Sequence, residues 1–268
     1  VEIAWAVFKI RAVWININYR YVEEELRYLF TNADLKVLFH QREFSPHVAH
    51  LRSELPTLEH VIVIEDGTDE ANPSDDAIAY EDAMAAGSPL RDFAQRSGDD
   101  LYILYTGGTT GMPKGVVWKH RDVVFALGGG VDPTSNIRVE RPEEFVEKGQ
   151  AGFCLTHFPI APLMHGATQW SVLGRSFVGD RIVLTAKFDP ERVWQTVQDE
   201  KVNSLMVTGD AMAKPLVELL DENPGRFDLS NLLAVVSSAA LFSAPVKDRY
   251  FVHLPNIMIT DAIGSSGS

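Results

Sequence analysis

Residues 101–120 read LYILYTGGTTGMPKGVVWKH, and their middle is the segment best equipped to hold phosphate. An apolar run from Leu101 to Tyr105 delivers the chain into Thr106-Gly107-Gly108-Thr109-Thr110-Gly111, and Pro113-Lys114-Gly115 leads out into Val116-Val117-Trp118. Glycines carry no Cβ to hold a ligand away, so backbone N–H groups can close on an anion. The Thr hydroxyls add donors, and Lys114 adds a compact positive charge. A Walker A loop would need Ser or Thr after the Lys and a helix beyond it, whereas Gly115 follows and the strand continues. A dinucleotide fingerprint fails because Gly107 and Gly108 are adjacent. A Gly/Thr-rich hairpin turn stays open, although it gives no reason for the hydroxyls and the Lys to coincide.

Further segments carry weaker signals. His165, in Ala161-Pro162-Leu163-Met164-His165-Gly166, reads from residue chemistry as a pocket residue or as a satisfied, half-buried His before a helix. Val236-Ser237-Ser238-Ala239-Ala240-Leu241 reads as a strand-to-helix turn whose small side chains leave room for a flat base. Asp210, in Thr208-Gly209-Asp210, reads as a helix-start residue. The single cysteine, Cys154, lies between Phe153 and Leu155 and is expected to be an inert buried thiol. No residues are assigned as metal ligands.

These segments need a scaffold, and the hydrophobic pattern supplies one. Tyr21 to Phe30 has helical spacing with early acidic residues, Val37 to His40 and Val61 to Ile64 read as strands, and the acidic stretch 68–98 reads as a surface excursion. Strands are expected at Arg181 to Leu184, Val202 to Val207, Leu232 to Val236 and Ile257 to Thr260. Helices are expected between them: from Asp189-Pro190-Glu191 to about Glu200, then Ala211 to Leu220 and Ala244 to Phe251. This alternation predicts an α/β fold of parallel-rich sheets covered by helices.

Composition narrows the partners. The 268 residues carry 24 Lys+Arg against 37 Asp+Glu, a formal charge of -13, which argues against nucleic acid or an anionic membrane as a general partner. No apolar run approaches the roughly 18 residues of a membrane-spanning helix, and no leader is read, so a cytoplasmic location is expected. The chain opens at Val1 in a stretch that reads as a helix already under way and closes on Gly264-Ser265-Ser266-Gly267-Ser268, which suits a flexible linker.

Thr106 to Gly115 resembles the signature loop of the adenylate-forming superfamily, which includes acyl-CoA synthetases, luciferases and peptide-synthetase adenylation domains. Val13 to Arg27 is similar to the segment preceding that loop, particularly in bacterial fatty-acyl-CoA synthetases. The resemblance implies that Thr106, Gly107, Gly108, Thr109, Thr110, Gly111, Pro113 and Lys114 wrap ATP phosphates, and that His165 lines the carboxylate pocket. It implies further that Ser238, Ala239 and Ala240 flank adenine. Asp261-Ala262-Ile263-Gly264-Ser265-Ser266 resembles the family motif that usually ends in Gly-x-Thr-Glu. Asp261, Gly264 and Ser266 then join the nucleotide site, with Ser266 at the α-phosphate and Gly267 in the place of a Mg²⁺-binding Glu.

The activity implied is ATP-dependent conversion of a carboxylic acid, expected to be a fatty acid, to acyl-AMP and then acyl-CoA, with ATP, Mg²⁺ and CoA as the small molecules. The organisation implied is one partial large domain over 1–268: a first βα portion (1–100), the phosphate-loop hairpin (101–120) and a second βα portion (121–268). The small C-terminal domain would be absent, and exposed sheet edges would favour self-association. A second class stays open: a catalytically inactive nucleotide-binding remnant or interaction fragment.

Overall fold

The computed structural model describes residues 1–107, 111–127, 139–151 and 154–262. In chain order the elements are α1 (Glu2–Lys9), β1 (Trp14–Ile15), α2 (Glu23–Asn32), β2 (Val37–Gln41), α3 (Ser45–Arg52), β3 (His60–Ile64), β4 (Ile78–Ala79), α4 (Tyr80–Ala86), β5 (Leu101–Thr106) and β6 (Lys114–Lys119). The second half continues with α5 (His120–Leu127), α6 (Glu143–Gln150), β7 (Thr156–Pro159), α7 (Gly166–Phe177), β8 (Arg181–Ile182), α8 (Pro190–Asp199), β9 (Ser204–Val207), α9 (Asp210–Glu222), β10 (Ala234–Ser238), α10 (Ala244–His253) and β11 (Met258–Ala262).

Local chemistry explains several boundaries. Asp189 caps α8 by accepting from Arg192 N at 2.8 Å, and Pro190 occupies the first turn, where its missing N–H costs nothing. Three glutamates open α2, and Glu25 reaches back to accept from Val22 N at 3.0 Å. The 68–98 stretch is more ordered than its acidity suggests: β4 adds to β3 in parallel, pairing Ile62 with Ile78, and α4 follows.

The chain forms two compact units, one of residues 1–16, 96–104 and 116–268, the other of 17–95 and 105–115. The smaller unit holds the parallel sheet β2-β3-β4. Leu29, Leu51 and Val61 are fully buried there. The larger unit is built on a five-stranded parallel sheet in the order β11-β10-β9-β7-β8. All four residues of β9 are buried, as a central strand covered on both faces requires. Its core gathers Phe158, Trp194, Leu205, Leu216, Val235 and Tyr250. Two polar tips in this core are satisfied, since Trp194 Nε1 donates to Leu216 O and Tyr250 Oη to Ala213 O, both at 2.9 Å.

Cys154 departs from expectation because its thiol is exposed. It precedes β7 rather than lying within it, so apolar neighbours in the sequence do not carry it into the sheet.

Candidate functional site

In the smaller unit, β5 ends at Thr106, and the chain is tied down just before the Gly/Thr-rich stretch. Tyr105 Oη donates to Asn32 Oδ1 of α2 at 2.7 Å, and a Cβ added at Gly107 would stand 3.6 Å from the Tyr21 hydroxyl. Gly111 has φ +112°, in a region that side chains rarely adopt, so its glycine is required by the backbone. Pro113 is buried and Lys114 is exposed at the start of β6. Among the described residues none forms an ion pair with Lys114. An open cavity of about 410 Å³ lies between Met112 and the α2 side chains Glu24, Arg27, Tyr28, Thr31 and Asn32. Gly108, Thr109 and Thr110 lie outside the described residues.

In the larger unit, the sheet order places β8 on one side of β7 and β9 on the other. The connections leaving β7 and β9 therefore diverge, which makes the carboxyl ends of these strands the topological switch point, where open α/β sheets bind ligands. His165 follows β7 at this edge, exposed and in the position preceding α7. Ser238 ends β10, followed by exposed Ala239 and Ala240, and Asp261 lies near the end of β11. The parallel register sets Ser237 opposite Asp261 and Ser238 opposite Ala262. The described candidates of this unit thus share one edge of the sheet, while Gly264 and Ser266 lie outside the described residues. Asp261 is exposed and ion-paired with Lys247.

The β9–α9 turn organises the small-residue segment. Gly209, at φ +58°, donates its N–H to Ser237 Oγ at 3.1 Å, and Asp210 N donates to Leu241 O at 2.8 Å. Asp210 does begin α9, but its side chain does not cap that helix. It accepts instead from Ser243 N at 2.9 Å, at the start of α10, and this hydrogen bonding holds its carboxyl below the ordinary carboxylate range. Ala239, between these anchors, is held at φ +69°.

The turn before α7 has its own supports, which no sequence motif announced. Asn16 Nδ2 donates to Met164 O at 2.8 Å, and Gln169 Nε2 donates to Leu163 O at 2.7 Å. Phe158, near this turn in sequence, is fully buried in the main core, and Trp170 packs edge-on against Trp118.

The family described as AMP-binding enzyme matches this sequence over residues 1–266. The chain belongs to the AMP-binding enzyme family. One relative of this AMP-binding chain, 3-oxocholest-4-en-26-oate–CoA ligase of Rhodococcus rhodochrous, is 47% identical over 99% of the chain and 49% of its own length. A medium/long-chain-fatty-acid–CoA/3-oxocholest-4-en-26-oate–CoA ligase of Mycolicibacterium smegmatis is 43% identical over 97% of the chain and 48% of its own length. The chain therefore spans about half the length of the curated relatives it matches. Among solved structures, the anthranilate CoA ligase AuaEII in complex with anthranoyl-AMP superimposes with a TM-score of 0.75 at 23% identity, covering 95% of this chain and 46% of that one. A long-chain-fatty-acid-CoA ligase of Archaeoglobus fulgidus gives 0.73 at 19% identity, covering 98% and 49%. At those identities the likeness establishes the α/β fold of the AMP-binding chain.

Among the described residues no helix is long and apolar enough to cross a membrane. No group of three or more His, Cys, Asp or Glu forms a metal site among them either, and Gly267 has no side chain to offer one. Among the described residues none forms a Mg²⁺ site.

Proposed function

We propose that this AMP-binding chain is the ATP- and acid-gripping part of an acid–CoA ligase, acting on a long aliphatic or steroidal carboxylic acid. The observation that carries the reading is Lys114: an exposed cation leaving a glycine- and threonine-rich turn in a chain of formal charge -13. The names of the relatives supply the substrate class. In this reading Thr106 to Lys114 grip the β- and γ-phosphates of ATP, and His165 orients the carboxylate at the switch point. Ser238, Ala239 and Ala240 form a flat wall for adenine, with Asp261, Gly264 and Ser266 beside it.

The chemistry is activation of a poor electrophile. A carboxylate oxygen attacks the α-phosphorus of ATP, the bond to the bridging oxygen breaks, and pyrophosphate leaves with the electron pair. The thiolate of CoA then attacks the acyl carbon and AMP departs, a far better leaving group than hydroxide. Lys114 and the amide donors of the loop stabilise the charge that gathers on pyrophosphate. No step is assigned to Mg²⁺. The exposed pattern along the edge strand β11 also makes self-association part of the proposal, to be read by sedimentation.

Calorimetry with ATP, comparing the protein with Lys114→Ala, tests the reading. Binding should weaken about tenfold or more in the variant, as for loss of a charge-assisted contact. A folded protein that binds no ATP would point instead to an inactive remnant.

A further inference from the structure

The turn that presents His165 rests on two buried amides. Gln169 is 3% exposed and Asn16 is 5% exposed, environments where apolar side chains would pack at less cost. Each spends its amide on one carbonyl of the turn: Asn16 on Met164 O at 2.8 Å, Gln169 on Leu163 O at 2.7 Å. The Gln169 oxygen is occupied as well, accepting from Tyr102 Oη at 2.5 Å, and Tyr102 is fully buried on β5. The amide orientation is therefore determined, because turning it over would face its NH₂ toward one donor and its oxygen toward a carbonyl. Burial pushes the Tyr102 hydroxyl well above its ordinary pKa, so it remains a donor.

The backbone completes the clamp. His165 N donates to Pro162 O and Gln169 N to His165 O, both at 3.1 Å. A Cβ at Gly166 would come within 2.5 Å of Leu104 Cδ2, so this glycine lets the turn press against β5. Consecutive carbonyls on the His165 turn are thus held by side chains, one from 148 residues away and one from the helix that follows the turn.

We infer that Asn16 and Gln169, the latter oriented by Tyr102, are positioning residues that set where the His165 imidazole meets the carboxylate of the acid substrate. The inference rests on the functional reading above. It assigns them no contact with substrate; they act through the main chain at Leu163 and Met164. Losing either amide frees one carbonyl to turn, and His165 moves with it.

The test pairs a resonance with a binding measurement on the protein and its Gln169→Leu, Asn16→Ala and Tyr102→Phe variants. The ring carbons of ¹³C-labelled histidine report on His165 directly, with His253 and His157 as internal references. The expected result is a displaced or broadened His165 signal in all three variants, smallest in Tyr102→Phe, with the reference signals unmoved. Affinity for palmitoyl sulfamoyl adenosine, a stable acyl-adenylate mimic, should fall about tenfold in Gln169→Leu while ATP affinity stays within about twofold. A merely structural role would lower stability and leave the His165 signal in place. That result in any variant that folds overturns the inference, and Tyr102→Phe, which deletes one hydroxyl, keeps the test decisive if Gln169→Leu does not fold. If the unaltered protein binds neither nucleotide, the functional reading fails, while the His165 signal still reports on the positioning.

Discussion

Tyr105 and Asn32 are joined by a hydrogen bond of 2.7 Å between side chains 73 residues apart, one residue before the Gly/Thr-rich stretch begins. The bond ties the end of β5 to α2, so the stretch departs from a fixed point. Tyr105→Phe should cost about 1 kcal/mol of stability, the usual net value of one such bond. Hydrogen exchange at Thr106 and Gly107 should accelerate while exchange in β9 is unchanged. Unaltered exchange at Thr106 would show that the anchor lies elsewhere.

Ala239 holds φ +69° although it has a Cβ. Left-handed backbone costs a non-glycine residue roughly 1–2 kcal/mol, part of which is returned to the unfolded chain on substitution by glycine. Ala239→Gly should therefore stabilise the protein by up to about 1 kcal/mol in urea titration. A loss of stability would mean that the methyl contributes packing that outweighs the strain.

Gly209 presents the opposite case. At φ +58°, an added Cβ would stand 2.8 Å from Ala240 Cβ and closer still to Leu241 O. Gly209→Ala should cost about 2 kcal/mol or more, since strain and overlap combine. It should also displace residues 239–243, which Gly209 and Asp210 brace, and nucleotide affinity should fall with stability. Asp210→Ala should reproduce the displacement at smaller cost, about 1 kcal/mol.

His157 gives the protein a pH-dependent stability. It is 1% exposed on β7, with Nδ1 3.0 Å from Ser204 Oγ and Nε2 2.6 Å from Ser171 Oγ. Burial, followed by the charge of Arg175, pushes its pKa down to about 4. The unfolded state then takes up a proton near pH 6.5, before the folded state does, so stability is fully present above about 6.5 and declines as pH falls toward 4. The shift corresponds to about 3 kcal/mol over that interval. Urea midpoints measured at pH 7 and pH 5 should differ in the parent protein, and His157→Gln should flatten the difference.

The alternating α/β pattern was legible where local chemistry decides. Asp189-Pro190 at the start of α8, the acidic first turn of α2 and the buried run of β9 each follow from residues adjacent in the chain. Edges were less so: β10 begins at Ala234 rather than Leu232, because Asn203 O pairs with the N–H groups of Leu233 and Ala234 and sets where the ladder starts. The reach of Asp210 to Ser243 likewise depends on a neighbour 33 residues away.

By itself, the sequence determined family membership and the composition of the candidate phosphate loop, since glycines, hydroxyls and Lys114 confer their chemistry through residue type and short spacing. Only the tertiary structure decided which buried groups stand behind that chemistry. Asn16 meets Met164 across 148 residues and Tyr102 meets Gln169 across 67, pairings that no motif encodes. The physical reason is that a buried amide is defined by its partners. Those partners exist only once β5, α7 and the His165 turn have packed together.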